Sequence, residues 1–221
     1  MREQDYHIFM AAGLADDYER IGQMHLFMRC DTANAAAFCD LPVGYSFRTC
    51  RPDELEIWTQ TATDPRYAKY ALEFYDRVYA GHADEFFRRC LFVCDENDKP
   101  IATSGIMRSC GCISTVGWTR VIPAHEGKGI GRALLTRLMQ SADFPVYLHT
   151  QPTSVRAIKL YSDFGFKLIS GEVVGHRQND LCVSLPILKK MMRDADFAAL
   201  RFVDADEVLH SAALTQKHAE F

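Results

Sequence analysis

The residues whose spacing most clearly points to chemistry run from Val121 to Leu135. A β-branched pair, Val121-Ile122, stops at Pro123. Gly127, Gly129 and Gly131 then alternate with Lys128 and Ile130, and an apolar helix-forming stretch follows Arg132. This order predicts a strand, a bare loop and a helix N-terminus. Glycines without Cβ atoms let backbone N–H groups come close to a ligand. A helix start adds unpaired N–H donors and the positive end of its dipole. A phosphate or pyrophosphate is the usual occupant of such a place.

Other glycine-rich loops have different spacings. A Walker A loop needs Gly-Lys followed by Ser or Thr, whereas Gly127-Lys128 is followed by Gly129. A dinucleotide fingerprint counted from Gly127 ends on Arg132, and from Gly129 on Leu134, so neither fits. An ordinary strand–turn–helix with glycine as punctuation stays open on the loop alone. The stretch resembles motif A of the GNAT acetyltransferase superfamily, Gln/Arg-x-x-Gly-x-Gly/Ala preceded by Val-x-Pro. Val121-Ile122-Pro123 matches the lead-in and Gly129-Ile130-Gly131 the glycine pair, while Glu126 stands at the Gln/Arg position. The resemblance implies acetyl-CoA as co-substrate, with its pyrophosphate on the backbone amides of this loop. Glu126 is expected to point to solvent, with Lys128 and Arg132 supplying positive charge.

A second pattern lies downstream. Val146–Gln151 reads as a short strand after Pro145, and Ser154 is placed to cap a helix. Ala157, Leu160, Tyr161 and Phe164 recur at helical spacing, and Gly165 is suited to end that helix. Ala157, Leu160, Tyr161, Gly165 and Phe166 match motif B of the same superfamily, with Ser154 at its Asn position. The donor-binding set implied by the two motifs is Val121, Glu126, Gly127, Lys128, Gly129, Ile130, Gly131, Arg132 and Ser154.

In this chemistry an amine attacks the thioester and a thiolate leaves. A free thiol has a pKa of about 8.5, so the leaving group gains from a proton. The resemblance gives that task to Tyr161, whose other reading is a core residue on an apolar helix face. The attacking amine must also lose a proton. The strand near Cys112–Val121 carries no carboxylate but offers Ser114, Thr115, Trp118, Thr119 and Arg120. His149, on the next strand, titrates in the right range for a base. A hydrogen-bonded structural histidine is its plainer reading, and water relayed through hydroxyls is another route.

The elements that must position these residues follow from patterning. Gly44–Cys50 alternates as a strand, Arg51-Pro52-Asp53-Glu54 opens a helix, and a second helix is expected near Arg66–Tyr79. Tyr67, Tyr70, Phe74 and Tyr75 form an aromatic stripe on it, read first as packing; these rings or Trp58 could instead shape an acceptor pocket. Leu91–Cys94 and Ile101–Ile106 flank a polar turn, and Leu181–Leu185 reads as a last strand. The expected fold is the α/β (α+β) GNAT fold, a central mixed, mostly antiparallel sheet of about seven strands with helices on both faces. It would occupy residues 43–187, with an N-terminal extension at 1–42 and a helical C-terminal extension at 188–221 that packs on the core or on a second subunit. His7–Met10 and His25–Met28 are similar tetrapeptides, read as two strands or as a strand and a helix edge.

Composition narrows the function. Of 221 residues, 48% are hydrophobic and 24% charged, as in soluble globular proteins. A net charge of −4 leaves no electrostatic footprint for nucleic acid and no polybasic membrane patch. No apolar run reaches membrane-spanning length, and Ile8–Ala15 lacks the basic flank of a signal peptide. The eight cysteines show no zinc spacing and read as reduced thiols, so the expected setting is cytoplasmic, without metal. The sequence is thus read as an acetyltransferase acting on a small-molecule or peptide amine. A non-catalytic acyl-CoA-binding or sensor module on the same fold, and a nucleotide-binding protein using the loop, are the rivals.

Overall fold

The computed structural model of the chain describes residues 3–215 and 221. It divides into two units, one holding Met1–Asn34 with Phe144–Phe221 and the other Ala35–Asp143. The expected extensions at 1–42 and 188–221 include residues 1, 2 and 216–220, which lie outside the described ones. Along the chain, the first unit begins with α1 (Glu3–Ala11), α2 (Tyr18–Gly22) and β1 (Leu26–Cys30). The two similar tetrapeptides therefore take different forms, one inside α1 and the other entering β1.

The second unit runs through β2 (Ser46–Thr49), α3 (Leu55–Ala62), α4 (Ala68–Val78), α5 (Ala83–Arg89), β3 (Cys90–Cys94), β4 (Pro100–Ser109), β5 (Ile113–Val121) and α6 (Ile130–Met139). Its four strands lie antiparallel in the order β5-β4-β3-β2. Strand alternation explains how helices cover both faces. Cys90, Phe92 and Cys94 pack with Trp58, Phe74 and Phe86 of α3–α5, while Leu91 and Val93 pack with Ile130 and Leu134 of α6. Pro52 starts a 3-10 turn into α3, and Glu54 in that turn ties it to β2. The Glu54 carboxylate accepts from Arg48 Nη1 and Nη2 at 2.7 and 2.8 Å and from the Arg51 amide at 2.9 Å. The β3–β4 hairpin turns on Asp95, whose Oδ1 accepts from the amides of Asn97 and Lys99, with Asp98 at φ 59°.

The first unit resumes with β6 (Val146–Thr150), α7 (Val155–Asp163), β7 (Lys167–Ser170), a small hairpin of β8 (Val173–Val174) and β9 (Arg177–Gln178), α8 (Leu181–Met191), α9 (Asp194–Ala198), β10 (Phe202–Asp204) and α10 (Glu207–Ala213). Its sheet order is β10-β7-β1-β6. β1 lies antiparallel to both β6 and β7, and β10 runs parallel to β7. Two sequence expectations are corrected here. Leu181–Leu185 opens helix α8 and is not a strand. Leu181, Ser184, Leu188 and Met191 are buried at helical spacing, and the Ser184 amide donates to Asp180 O at 2.9 Å. A five-residue apolar run does not separate strand from helix by itself. The residues after 188 are not wholly helical either, because Phe202–Asp204 is an edge strand.

The end of α7 shows how distant chain segments fix a site residue. The helix closes in a Schellman motif. The Phe166 amide donates to Tyr161 O at 3.1 Å and the Gly165 amide to Ser162 O at 3.1 Å, with Gly165 at φ 96°. The accompanying apolar contact is Phe166 on Tyr161, ring centroids 5.8 Å apart. The next carbonyls are met from the chain after β1: Asn34 Nδ2 donates to Asp163 O at 2.9 Å and the Asn34 amide to Phe164 O at 3.0 Å. A Cβ on Gly165 would sit 2.9 Å from Thr32 O. Gly165→Ala is therefore expected to destabilise the chain by about 1–3 kcal/mol, from left-handed strain with the close contact added. Urea unfolding measures this, and an unchanged midpoint would contradict the geometry.

Candidate active site

Helix α6 is anchored by its apolar residues and left uncapped at its start. Ile130, Ala133, Leu134, Leu135 and Leu138 are buried, each large side chain contributing about 1.5–3 kcal/mol on full burial. The N-cap is Gly129 at φ 85°, which has no side chain to satisfy the first N–H groups of the helix. Gly127 also has a left-handed backbone, φ 77°. A Cβ built on Gly127 meets nothing within 4 Å, and one on Gly129 meets only Pro42 Cγ at 4.0 Å. The glycines thus answer to backbone conformation, and the space over them is open. Backbone amides at a helix start beside open space of this kind can receive an anion.

Side chains around the loop divide between binding and bracing. Lys128 is exposed, and its Nζ lies 3.5 Å from Tyr45 Oη. Tyr45 Oη in turn lies 2.9 Å from His125 Nδ1. Arg132 is half-buried, and its Nη1 donates to Ala37 O at 3.1 Å, so part of its hydrogen-bonding capacity braces the segment before β2. Glu126, expected to point to solvent, is half-buried. Tyr45 was not singled out from sequence: nothing in the pattern of β2 relates it to a loop 80 residues later.

The strand that feeds the loop carries a bulge. From Thr103 to Gly105 on β4 the partner positions run from Arg120 to Gly117, one residue too many on β5. Trp118 sits at the irregularity with φ 56°, a conformation a bulky residue seldom adopts. Three contacts hold it: Ser104 Oγ to Thr119 Oγ1 at 2.6 Å, Arg120 Nη1 to Thr61 O at 3.0 Å, and Trp118 Nε1 to Tyr79 Oη at 3.1 Å. The hydroxyl of Thr115 is turned back on Ile113 O at 3.0 Å and is buried.

Tyr161, Ser154 and His149 belong to the other unit. Tyr161 is buried on α7, held by the Schellman motif described above. Ser154 takes the N-cap position, where its carbonyl accepts from the Ile158 amide at 2.9 Å; its hydroxyl makes no capping bond. His149 is packed among rings on β6. Its Nε2 lies 2.8 Å from His25 Nδ1, and its ring stacks on Phe27 with centroids 5.0 Å apart. Burial, then the His25 and Arg177 charges, lower its pKa to about 3. A base that weak holds almost no proton near neutrality. These surroundings suit a neutral packing histidine better than the proton acceptor considered from sequence.

The cysteines are thiols, and no disulfide joins any of the eight. Cys30, Cys50, Cys90, Cys94 and Cys110 are buried. Burial pushes Cys30 and Cys94 up to about 11, so both stay protonated at neutral pH. Among the described residues no cluster of His, Cys, Asp and Glu could hold a metal ion, and no helix is long and apolar enough to cross a membrane.

Mostly antiparallel strands flanked by helices, with a left-handed glycine loop opening a buried helix, make up a fold of the GNAT type. The Acetyltransferase (GNAT) family model matches residues 49–166, and the chain belongs to that family. Among curated proteins none matches the chain significantly. A GCN5-related N-acetyltransferase from Sphaerobacter thermophilus is 18% identical, covers 65% of this chain and 48% of its own, and superposes with a TM-score of 0.50. An acetyltransferase from the GNAT family from Colwellia psychrerythraea is 14% identical, with 65% and 52% covered and a TM-score of 0.48. A GCN5-related N-acetyltransferase from Kribbella flavida is 16% identical, with 70% and 60% covered and a TM-score of 0.43. The chain thus spans about half to three-fifths of the length of these structures.

Two outcomes test the site. Gly129→Val puts a branched side chain into the open space over the loop and into a left-handed conformation it resists, so acetyl-CoA binding followed by calorimetry should be lost. Normal affinity in that variant would remove the loop from donor binding. For His149, the folded pKa of about 3 lies below the unfolded 6.5, so between those values the unfolded chain binds the extra proton. Stability should fall as pH drops from 6.5, by up to about 1.4 kcal/mol per unit for one proton. His149→Asn should flatten that decline in denaturant titrations, whereas equal slopes would show that His149 protonates normally in the fold.

Proposed function

We propose that the chain is an N-acetyltransferase that moves an acetyl group from acetyl-CoA to a primary amine by direct attack. The observation that carries this reading is the uncapped start of α6 behind two left-handed glycines, in a chain of the GNAT family. The amides of residues 127–132 hold the donor's pyrophosphate, with Lys128 adding charge. Val121 and Ser154 complete the donor-binding set, and Glu126 lies at its edge.

The amine nitrogen adds to the thioester carbonyl, forming a C–N bond and a tetrahedral oxyanion. Backbone amides near the end of β5, where the bulge interrupts pairing with β4, polarise that oxygen. Collapse breaks the C–S bond. The sulfur takes a proton from Tyr161, and the nitrogen loses its proton through water and the hydroxyls of β5. No covalent enzyme intermediate is needed.

The test is release of free CoA thiol from acetyl-CoA with a panel of amines. Turnover with at least one amine is expected, and Tyr161→Phe should lower kcat by roughly 10²–10⁴ while leaving acetyl-CoA affinity nearly unchanged. Unaltered turnover in that variant would reduce Tyr161 to a packing residue. Tight acetyl-CoA binding without turnover on any amine would favour a non-catalytic acyl-CoA sensor on the same fold.

A further inference from the structure

Cys50 and Cys90 are buried thiols that acetyl transfer does not use, and the sheet sets them face to face. β2 pairs antiparallel with β3 in the register Ser46↔Cys94, Phe47↔Val93, Arg48↔Phe92 and Thr49↔Leu91. One step further along this ladder, Cys50 stands opposite Cys90, and the Cys50 amide donates to Cys90 O at 2.9 Å. Opposed residues of an antiparallel pair point to the same face. Here that face is the one covered by α3–α5. Arg48 lies over the Phe92 ring at 5.4 Å, and both cysteines share a core with Trp58, Phe74 and Phe86. The side chains meet in that core. A hydrogen bond with the Cys90 thiol, followed by burial, holds the Cys50 thiol well above its usual range.

The spacing suits a covalent bond. Opposed residues stand about 4.5–5.5 Å apart at Cα, and a disulfide needs about 4.4–6.8 Å. Other strand cysteines lack such a partner: Cys94 faces Ser46, and Cys30 faces Val146. The place is also one where a bond would act. Cys50 precedes the Arg51-Pro52 turn into α3, and Cys90 closes α5, its amide donating to Phe86 O. A bridge would close residues 51–89, which carry α3, α4 and α5, into a covalent loop rooted on the sheet. Closing such a loop removes freedom from the unfolded chain and so favours the folded one.

Access sets the condition for closure. Cys50 is 2% exposed and Cys90 1%, so the resting fold shields both, and only a small oxidant reaches them when the helices loosen. We propose that Cys50 and Cys90 are a reversible redox latch, which a peroxide closes into a cross-strand disulfide tying α3–α5 to the sheet. One sulfur attacks the peroxide O–O bond and becomes a sulfenic acid, and the leaving hydroxide takes its thiol proton as water. The second sulfur displaces the sulfenic hydroxyl, which leaves with the second thiol proton as another water, and the S–S bond forms. The two thiols lose two electrons and the peroxide gains them. A dithiol reopens the bond by exchange.

The experiment is incubation of the whole chain with millimolar hydrogen peroxide in sub-denaturing urea, alkylation of the remaining thiols and tryptic mapping. Peptide 49–66 should appear joined to peptide 90–108. The second peptide also holds Cys94, so the link should persist in Cys94→Ser and vanish in Cys50→Ser and Cys90→Ser. Should a serine variant fail to fold, fragmentation of the joined peptides from the unmodified chain separates Cys90 from Cys94 and decides alone. After removal of peroxide and urea, the oxidised chain should unfold about 5–10 °C above the same sample treated with dithiothreitol. That reagent reopens the disulfide and leaves methionine sulfoxide in place, so the comparison isolates the latch. No joined peptides, a link made only by other cysteines, or an oxidised chain that unfolds no higher than the reduced one would overturn the proposal.

Discussion

Helix α6 begins on a residue that cannot cap it. Almost any other residue at an N-cap would bring either a side-chain acceptor for the first amides or a Cβ over them. Gly129 brings neither, and Gly127 keeps the preceding turn equally bare. The helix is nonetheless secure, because its stability comes from the apolar face pressed on β3 and β4 and not from its first turn. That separation lets the amides stay available to a ligand at little cost to the fold.

Two further parts are held by segments far away in sequence. Tyr161 owes its place to a Schellman motif whose remaining carbonyls are met by Asn34, just after β1. β1 also lies between β6 and β7, so the N-terminal residues belong to the sheet of the first unit. In the second unit, Trp118 keeps an unfavourable backbone angle because a hydroxyl pair, an indole hydrogen bond and two ring contacts converge on it. The strand at Trp118 would relax without those distant contacts.

What could be read from sequence follows the same division. The glycine loop and the end of α7 are local: each depends on residues within one or two turns, and Gly129, Gly131, Tyr161 and Gly165 announce them by type and spacing. β3 and β4 are legible because their apolar runs flank one polar turn, and β5 because its nine residues are rich in β-branched and aromatic types. Leu181–Leu185 was misread because five apolar residues fit a strand and a helix alike. Its helical period appears only when Leu188 and Met191 are counted with it. The bulge at Trp118 and the contact of Tyr45 with the loop had no local signal, since each depends on register or on tertiary packing. His149 shows the same limit, because its type suits a base while its neighbours His25 and Phe27 make it a weak one.

The central claim, that the loop before α6 is a donor site for acetyl-CoA, is tested most directly by ligand-dependent unfolding of the whole chain. A ligand that binds only the folded form raises its stability, by about 2.7 kcal/mol at a hundredfold excess over Kd. Acetyl-CoA at millimolar concentration should raise the unfolding midpoint clearly, while ATP and NAD at the same concentration should leave it nearly unchanged. No shift with acetyl-CoA, or an equal shift with ATP or NAD, would contradict the account.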